Sequence, residues 1–350
     1  MKLQSSHSFR PVRSSIISLL GVLLCLTTAF PCLAQQDTGK LPFDIFGEAI
    51  DNVQIYEHLK NNAILQKSRQ AADAPDVIVQ QLLDCKKNSD VRIDSLISQP
   101  LTKPEDLYQN IVKSTVFLGQ FYDCGKCDRT HVSFSGGVMI SQSGLALTNY
   151  HVMQLHKTGT TEGFMAMTYD GKCFEVEKVL AADKTADIAL VQLKAEGHKF
   201  HAAPIAKTRP EPASEVRIIS HPAGEFFTLT KGEVSRYSRM RSAKRDSSEK
   251  KPAWLEVTAD FGGGSSGCGV FNSQGELVGI VSRIRPLWRA ASKTVRNGKL
   301  VDQPKYVEMV IRRCVNLSSI KACFGSGELA PQESEPQESA SEGEPALATP

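Results

Sequence analysis

From Ser114 onward the chain alternates short apolar runs with Gly, Pro, Asn and Asp, the pattern of strands separated by turns. Residues 114–121 and 132–140 are rich in β-branched and aromatic side chains, and residues 123–128 between them read as a hairpin tip. Further strands are expected at 145–148, 163–169, 174–180, 188–193, 216–220, 226–235, 254–258, 270–272 and 277–282. Many short strands with turns between them predict a mostly β fold, either a sandwich or barrels. Upstream the period changes. Ile50, Val53, Tyr56 and Leu59 recur at helical spacing, as do Val79, Leu82 and Leu83, so residues 42–98 read as helices with one polar side. This region has no catalytic pattern and is expected to pack on the β domain or to link it to something else. Pro104, Glu105 and Asp106 mark the start of another helix, which feeds the first strand.

Both ends of the chain depart from this pattern. Residues 1–34 have a basic start (Lys2, Arg10, Arg13), an apolar run from Ile16 to Leu26, and small or neutral residues leading to Ala34. That is the design of a secretory signal peptide cleaved after Ala34. A membrane anchor needs roughly 20 apolar residues, and this run is shorter and broken by Thr27, Thr28 and Pro31. Lipoprotein cleavage at Cys32 is disfavoured by Phe30 and Pro31. Residues 326–350 hold six acids and no bases among Ser, Pro, Gln and Ala, and are expected to be disordered. Residues 236–251 are basic, small and aperiodic, as in an exposed loop. The expected organisation is a signal peptide at 1–34, a helical extension at 35–103, a β domain at 104–325 with a short helix near its end, and an acidic tail at 326–350.

The apolar fraction of 41% is enough for a substantial core. Losing the leader removes three bases and no acids, which takes the formal net charge from +3 to zero and argues against a nucleic-acid partner. The expected location is secreted or periplasmic, where the seven remaining cysteines (85, 124, 127, 173, 268, 314, 323) have access to disulfide chemistry. Nothing in the pattern selects an oligomeric state.

The candidate chemistry centres on residues 260–272, where Gly262, Gly263, Gly264, Gly267 and Gly269 surround Ser265 and Ser266. Glycines allow positive φ and close approach of another molecule, but a serine attacks a carbonyl only with a base to take its proton and donors to receive the oxyanion. A base is available in His151, within Thr148-Asn149-Tyr150-His151-Val152 directly after a strand. An orienting carboxylate is available in Asp187, at the head of the apolar run Ile188-Ala189-Leu190-Val191, where an uncompensated charge costs several kcal/mol. Asp170 and Asp183 lie in more polar turns.

With these residues the chain resembles the trypsin and chymotrypsin superfamily of serine peptidases, and within it the bacterial HtrA-type and related secreted group. The resemblance spans residues 114–324. It rests on Ser135-Gly136-Gly137 before Leu147 to Val152, on Asp187 to Leu190, and on Gly264 to Gly269 followed by Gly275 to Ile280. It implies two six-stranded β-barrels, the first carrying His151 and Asp187 and the second carrying the nucleophile Ser266 rather than Ser265. The oxyanion hole is then the N–H groups of Gly264 and Ser266, and Ser282 belongs to the strand that pairs with substrate backbone. Polypeptides are the implied substrates, with no metal or organic cofactor. No PDZ-like module is expected after the barrels.

The chain also departs from the family pattern. Ser265 stands where trypsin has an activation aspartate, and Cys268 and Gly269 replace Gly and Pro. Cys268 reads as a small buried residue, or else as half of a disulfide restraining the turn. Asp260, six residues before Ser266, matches the floor of trypsin's basic-specific pocket, or simply caps a loop. Cys124 and Cys127 read first as a local disulfide. A zinc site wants four ligands and only His131 is near, and a redox pair favours a helix N-terminus. Cys314 and Cys323 are a second possible pair, and His198 and His201 read as a surface loop. The leading function is a secreted serine endopeptidase, and the alternative is a catalytically silent double-barrel peptide-binding or scaffold protein. A third reading has the N-terminal helices gating the cleft.

Overall fold

The computed structural model describes residues 43–69, 75–93, 107–239, 251–297, 299–303 and 305–325. The expected leader, the Pro104 helix start, most of the 236–251 loop and the acidic tail lie outside the described residues. Helices α1 (Asn52–Arg69), α2 (Pro75–Asp84) and α3 (Leu107–Ser114) precede the strands. The first closed barrel is formed by β1 (Thr115–Asp123), β2 (Thr130–Met139), β3 (Leu145–Thr148), β4 (Thr160–Met167), β5 (Cys173–Asp183) and β6 (Ile188–Leu193), in the order β1-β2-β3-β6-β5-β4. The second is formed by β7 (Glu215–Ser220), β8 (Thr228–Arg239), β9 (Ala253–Val257), β10 (Gly269–Phe271), β11 (Leu277–Arg289) and β14 (Tyr306–Asn316), in the order β10-β11-β14-β9-β8-β7. A separate hairpin of β12 (Ser292–Arg296) and β13 (Lys299–Gln303) lies between β11 and β14 in sequence. The short helix α4 (Leu317–Lys321) follows, capped by the Asn316 side chain, which accepts from the Ser319 N–H at 2.9 Å.

The strands are legible because their buried residues form continuous apolar runs: all of β3 is buried, as are five of the six residues of β6. A closed barrel has no free edge, so the backbone of these runs is satisfied strand to strand. Two strand features escape the apolar pattern. β11 continues past Ser282 to Arg289, and β14 closes the barrel against both β11 and β9. The outer halves of β11 and β14 are exposed or half-buried, so their apolar residues, such as Met309 to Ile311, do not mark a core strand. Within the wall, buried Arg313 donates to buried Glu256 at 2.9 Å, and Glu256 also receives Arg236 and Ser238 at 2.6 Å each. Burial raises the Glu256 carboxyl, but these partners outweigh it and hold the group below its usual range.

Of the stretch expected to be helical, residues 52–69 and 75–84 are helices while residues 43–51 and 85–92 are not, and α1 buries a different face from the one expected. Ile55, Leu59 and Ala63 of α1 join the core, while Val53 and Tyr56 are 73% and 44% exposed. Leu59 belongs to two overlapping apolar sets, and the i, i+4, i+8 set is the one the barrels cover. On α2, Ile78 and Leu82 pack on β5 residues Val176, Val179 and Ala182, and Leu83 points outward. The ladder register slips at Val179, and the Gln81 side-chain oxygen accepts the Val179 N–H at 2.9 Å.

Candidate active site

His151 lies on the 3₁₀ turn Tyr150–Met153, one residue beyond β3. Its Nδ1 is 3.0 Å from both Asp187 carboxylate oxygens, and its backbone N–H donates to Oδ1 at 3.2 Å. With Nδ1–H donating to the carboxylate, Nε2 is free to accept, and it lies 3.0 Å from Ser266 Oγ. The three predicted residues therefore form one hydrogen-bonded line across 115 residues of sequence. Such a line can move a proton from a hydroxyl to an imidazole and stabilise the imidazolium that results.

Asp187 precedes β6 with φ 59°, an unusual conformation for a residue with a side chain. Asn149 holds it there by donating from Nδ2 to the Asp187 carbonyl at 2.9 Å. Asp187 is 3% exposed, and its carboxylate also receives Ser282 Oγ at 2.5 Å and Arg283 Nη2 at 3.3 Å. Burial acts to raise its pKa, but the His151 bond, Ser282 and the Arg283 charge together hold it below the usual carboxylate value. Ser282 is thus tied to Asp187, and its carbonyl lies 3.3 Å from Ser266 Oγ. Arg283 also stacks over Trp254 at 4.6 Å. Asn149 is part of the motif around His151, whereas nothing in the local pattern marks Arg283.

The Ser266 turn is set by glycines whose neighbours explain them. A Cβ on Gly267 (φ 86°) would lie 2.0 Å from the Gly136 carbonyl, and one on Gly136 would lie 2.1 Å from Cys268 Sγ. These two glycines let β2 of the first barrel touch the turn of the second, where the Gly136 N–H donates to the Ser266 carbonyl at 2.7 Å. Ser265 is fully buried and its hydroxyl has no partner among the described residues, which leaves Ser266 as the presented serine. Cys268 is a small buried free thiol, its pKa pushed up by burial. All seven cysteines named above are free in this structure.

Gly264 has φ 94°. The Gly263 carbonyl before it accepts from the Ala223 N–H at 2.7 Å. Because the peptide is planar and trans, the Gly264 N–H points the opposite way, away from Ala223. Ala223 belongs to residues 221–227, where Ala223 and Phe227 both have left-handed φ, 53° and 55°. His221 stacks on Phe117 at 4.1 Å, and its Nδ1 accepts the Phe227 N–H at 3.2 Å. Burial holds this imidazole neutral, lowering its pKa to about 3. From α1, the Asn52 side chain donates to Glu225 Oε2 at 2.7 Å and accepts the Phe226 N–H at 3.0 Å. No sequence signal connects Asn52 to this site.

Asp260, read from its position as a pocket floor or a loop cap, carries a charged partner. Its side chain is 69% exposed and its carboxylate is paired with Arg312, whose Nε donates at 2.6 Å. The pairing of β11 with β14 brings Arg312 there, with Ile284 opposite Arg312. Beside His151, a groove of about 450 Å³ is lined by Gln120, Ser133, Gln154 and His156.

Residues 135–280 match the family model described as a trypsin-like peptidase domain. The chain is 26% identical over 170 residues to a putative serine protease HhoA of Synechocystis, covering 48% of this chain and 41% of that protein. It is 28% identical over 169 residues to a probable periplasmic serine protease do/HhoA-like of Haemophilus influenzae (48% and 34%), and 29% identical over 183 residues to serine protease HTRA1 of Xenopus laevis (50% and 37%). The chain thus spans less than half the length of each of these curated relatives. Double-barrel topology, residue order and these similarities agree: residues 135–280 match a trypsin-like peptidase domain, and the chain is similar to serine proteases of the HtrA type.

Proposed function

We propose that this protein is a serine endopeptidase that cleaves polypeptides through an acyl-enzyme on Ser266, with His151 as base and acid and Asp187 as its orienter. The observation that carries the reading is the unbroken hydrogen-bonded line from Ser266 Oγ through both His151 nitrogens to buried Asp187. Ser266 Oγ adds to the scissile carbonyl as its proton passes to His151 Nε2. The oxyanion is received by the Gly264 and Ser266 N–H groups, and His151 then protonates the leaving amine. Water, deprotonated by the same imidazole, releases the acyl group. Support for a formed oxyanion site comes from the Ala223 bond to the Gly263 carbonyl, which turns the next N–H away from residues 221–227. A fluorophosphonate probe should label the wild-type chain and fail to label Ser266→Ala. An unlabelled wild type would favour the silent binding or scaffold reading instead.

The leader-like residues 1–34 support secretion to the periplasm or beyond, and no described helix is long and apolar enough to cross a membrane. For the N-terminal helices, the Asn52 contacts favour a strut over a gate, since they hold residues 225 and 226 rather than cover His151. The Arg312 pairing of Asp260 favours a primary pocket without a free carboxylate, and so without strong preference for Arg or Lys.

A further inference from the structure

At the tip between β1 and β2, three soft or borderline donors converge. Cys124 Sγ lies 3.5 Å from Cys127 Sγ, Cys127 Sγ lies 3.2 Å from His131 Nε2, and all three donor atoms are within 4.8 Å of one another. Around a tetrahedral zinc ion, with Zn–S about 2.3 Å and Zn–N about 2.0 Å, ligand atoms are separated by roughly 3.5–3.8 Å. The Cys124–Cys127 and Cys127–His131 separations are within a few tenths of an ångström of these values, and the third pair lies within 4.8 Å. The tip is preshaped: Gly125 has φ 66° and its N–H donates to Asp123 Oδ1 at 2.7 Å. The His131 ring is held at a 27° tilt against Tyr122, with centroids 5.4 Å apart.

We propose that Cys124, Cys127 and His131 form a binding site for a thiophilic divalent cation of the zinc class, with three protein ligands and a fourth position open to solvent. On binding, the two thiols release two protons and the two thiolates and the imidazole nitrogen donate lone pairs, with no change of oxidation state. The competing chemistry at the same atoms is a Cys124–Cys127 disulfide. That would remove two electrons and two protons to an external oxidant and draw the sulfurs together to about 2.0 Å. The ion would act on the neighbouring groove as well. Tyr122 lies between His131 and His156, stacked on the latter at 3.8 Å, and His156 shares the groove wall with His151. An ion that fixes His131 therefore stiffens that wall.

The test is anaerobic titration of the full, freshly reduced, metal-free chain with Co²⁺, followed by Zn²⁺. One equivalent of Co²⁺ should produce thiolate-to-metal charge-transfer absorption with the strong visible bands of tetrahedral cobalt, and Zn²⁺ should abolish both. Cys124→Ser and Cys127→Ser should each lose that signature while keeping the wild-type far-UV circular dichroism, and His131→Ala should weaken binding by at least about tenfold. The proposal is overturned by a wild type with no such absorption, or by bands that survive in either serine variant. It is equally overturned if the protein purified without reductant has an intact Cys124–Cys127 cystine by peptide mass.

Discussion

The two barrels contribute to the site in different ways. The first supplies His151 and Asp187 on neighbouring elements: β3 and β6 are hydrogen-bonded neighbours with buried residues, Asn149 ties one loop to the other, and from the second barrel the Ser282 and Arg283 side chains of β11 reach the Asp187 carboxylate. The second presents Ser266 on a turn whose shape depends on groups outside it. Gly136 of the first barrel receives the turn, residues 221–227 hold the Gly263 carbonyl, and Asn52 of α1 holds residues 225 and 226. Two of those loop residues have left-handed backbones without being glycine, each at a cost of about 1 kcal/mol. In the proposed reading the base half of the site thus rests mainly on the backbone of one barrel, and the oxyanion half is assembled from several parts. This predicts different sensitivities to mutation on the two sides.

The largest effect belongs to the first barrel. Asp187→Asn keeps a residue type that tolerates positive φ but presents the wrong hydrogen-bonding face to His151, and kcat should fall on the order of 10⁴-fold. Steady-state kinetics on a peptide substrate measures this, and a loss under about 100-fold would mean that Asp187 is not the orienter.

The next effect tests the assembled half. Asn52→Ala removes both bonds to residues 225 and 226, and kcat should fall about tenfold with KM little changed, a fraction of the 10²–10³ lost with a whole oxyanion donor. Adding Ala223→Gly should restore part of the loss, because glycine takes φ 53° without strain. Removing the residues before Lys103 should likewise lower activity, and a rise on truncation would make the helices a gate instead.

A third effect is on stability. The neutral, buried His221 has a pKa lowered to about 3, against about 6.5 in an unfolded chain. Between those values the unfolded state binds the extra proton, so stability falls as pH drops below about 6.5 and is complete above it. Thermal unfolding at a series of pH values should show that slope, and His221→Phe, which keeps a ring against Phe117, should flatten it. The smallest effect is at Asp260. With Arg312 already on its carboxylate, Asp260→Asn should leave the residue preference at the cleavage site unchanged in a fluorogenic peptide panel. Arg312→Ala should raise the preference for Arg or Lys, and a strong basic preference in the wild type would contradict the pairing argument.

How much of this was legible in advance varies with the kind of interaction. His151, Asp187 and Ser266 are readable because each sits in a short motif whose chemistry is local: a histidine after a strand, a carboxylate leading an apolar run, a serine among glycines. The apolar runs likewise dictate most of the barrel strands. Asn52 and Arg283 look like ordinary polar residues, since their roles come from contacts 174 and 96 positions away. Asp260 shows the reverse case: its position in a motif suggests a pocket floor or a loop cap, and only the fold shows that Arg312 of β14 pairs with its carboxylate.

By itself, the sequence determined the strand-rich class, the helices before it and the identity of the three aligned side chains, because hydrophobic periodicity and motif chemistry are properties of neighbouring residues. Tertiary structure alone decided which face of α1 is buried, that β14 closes the second barrel through a buried Arg313–Glu256 pair, and that Arg312 takes up the Asp260 charge. It also decided that Cys124, Cys127 and His131 point at one another. These outcomes depend on strand register and on charges desolvated against distant partners, and no local pattern encodes either.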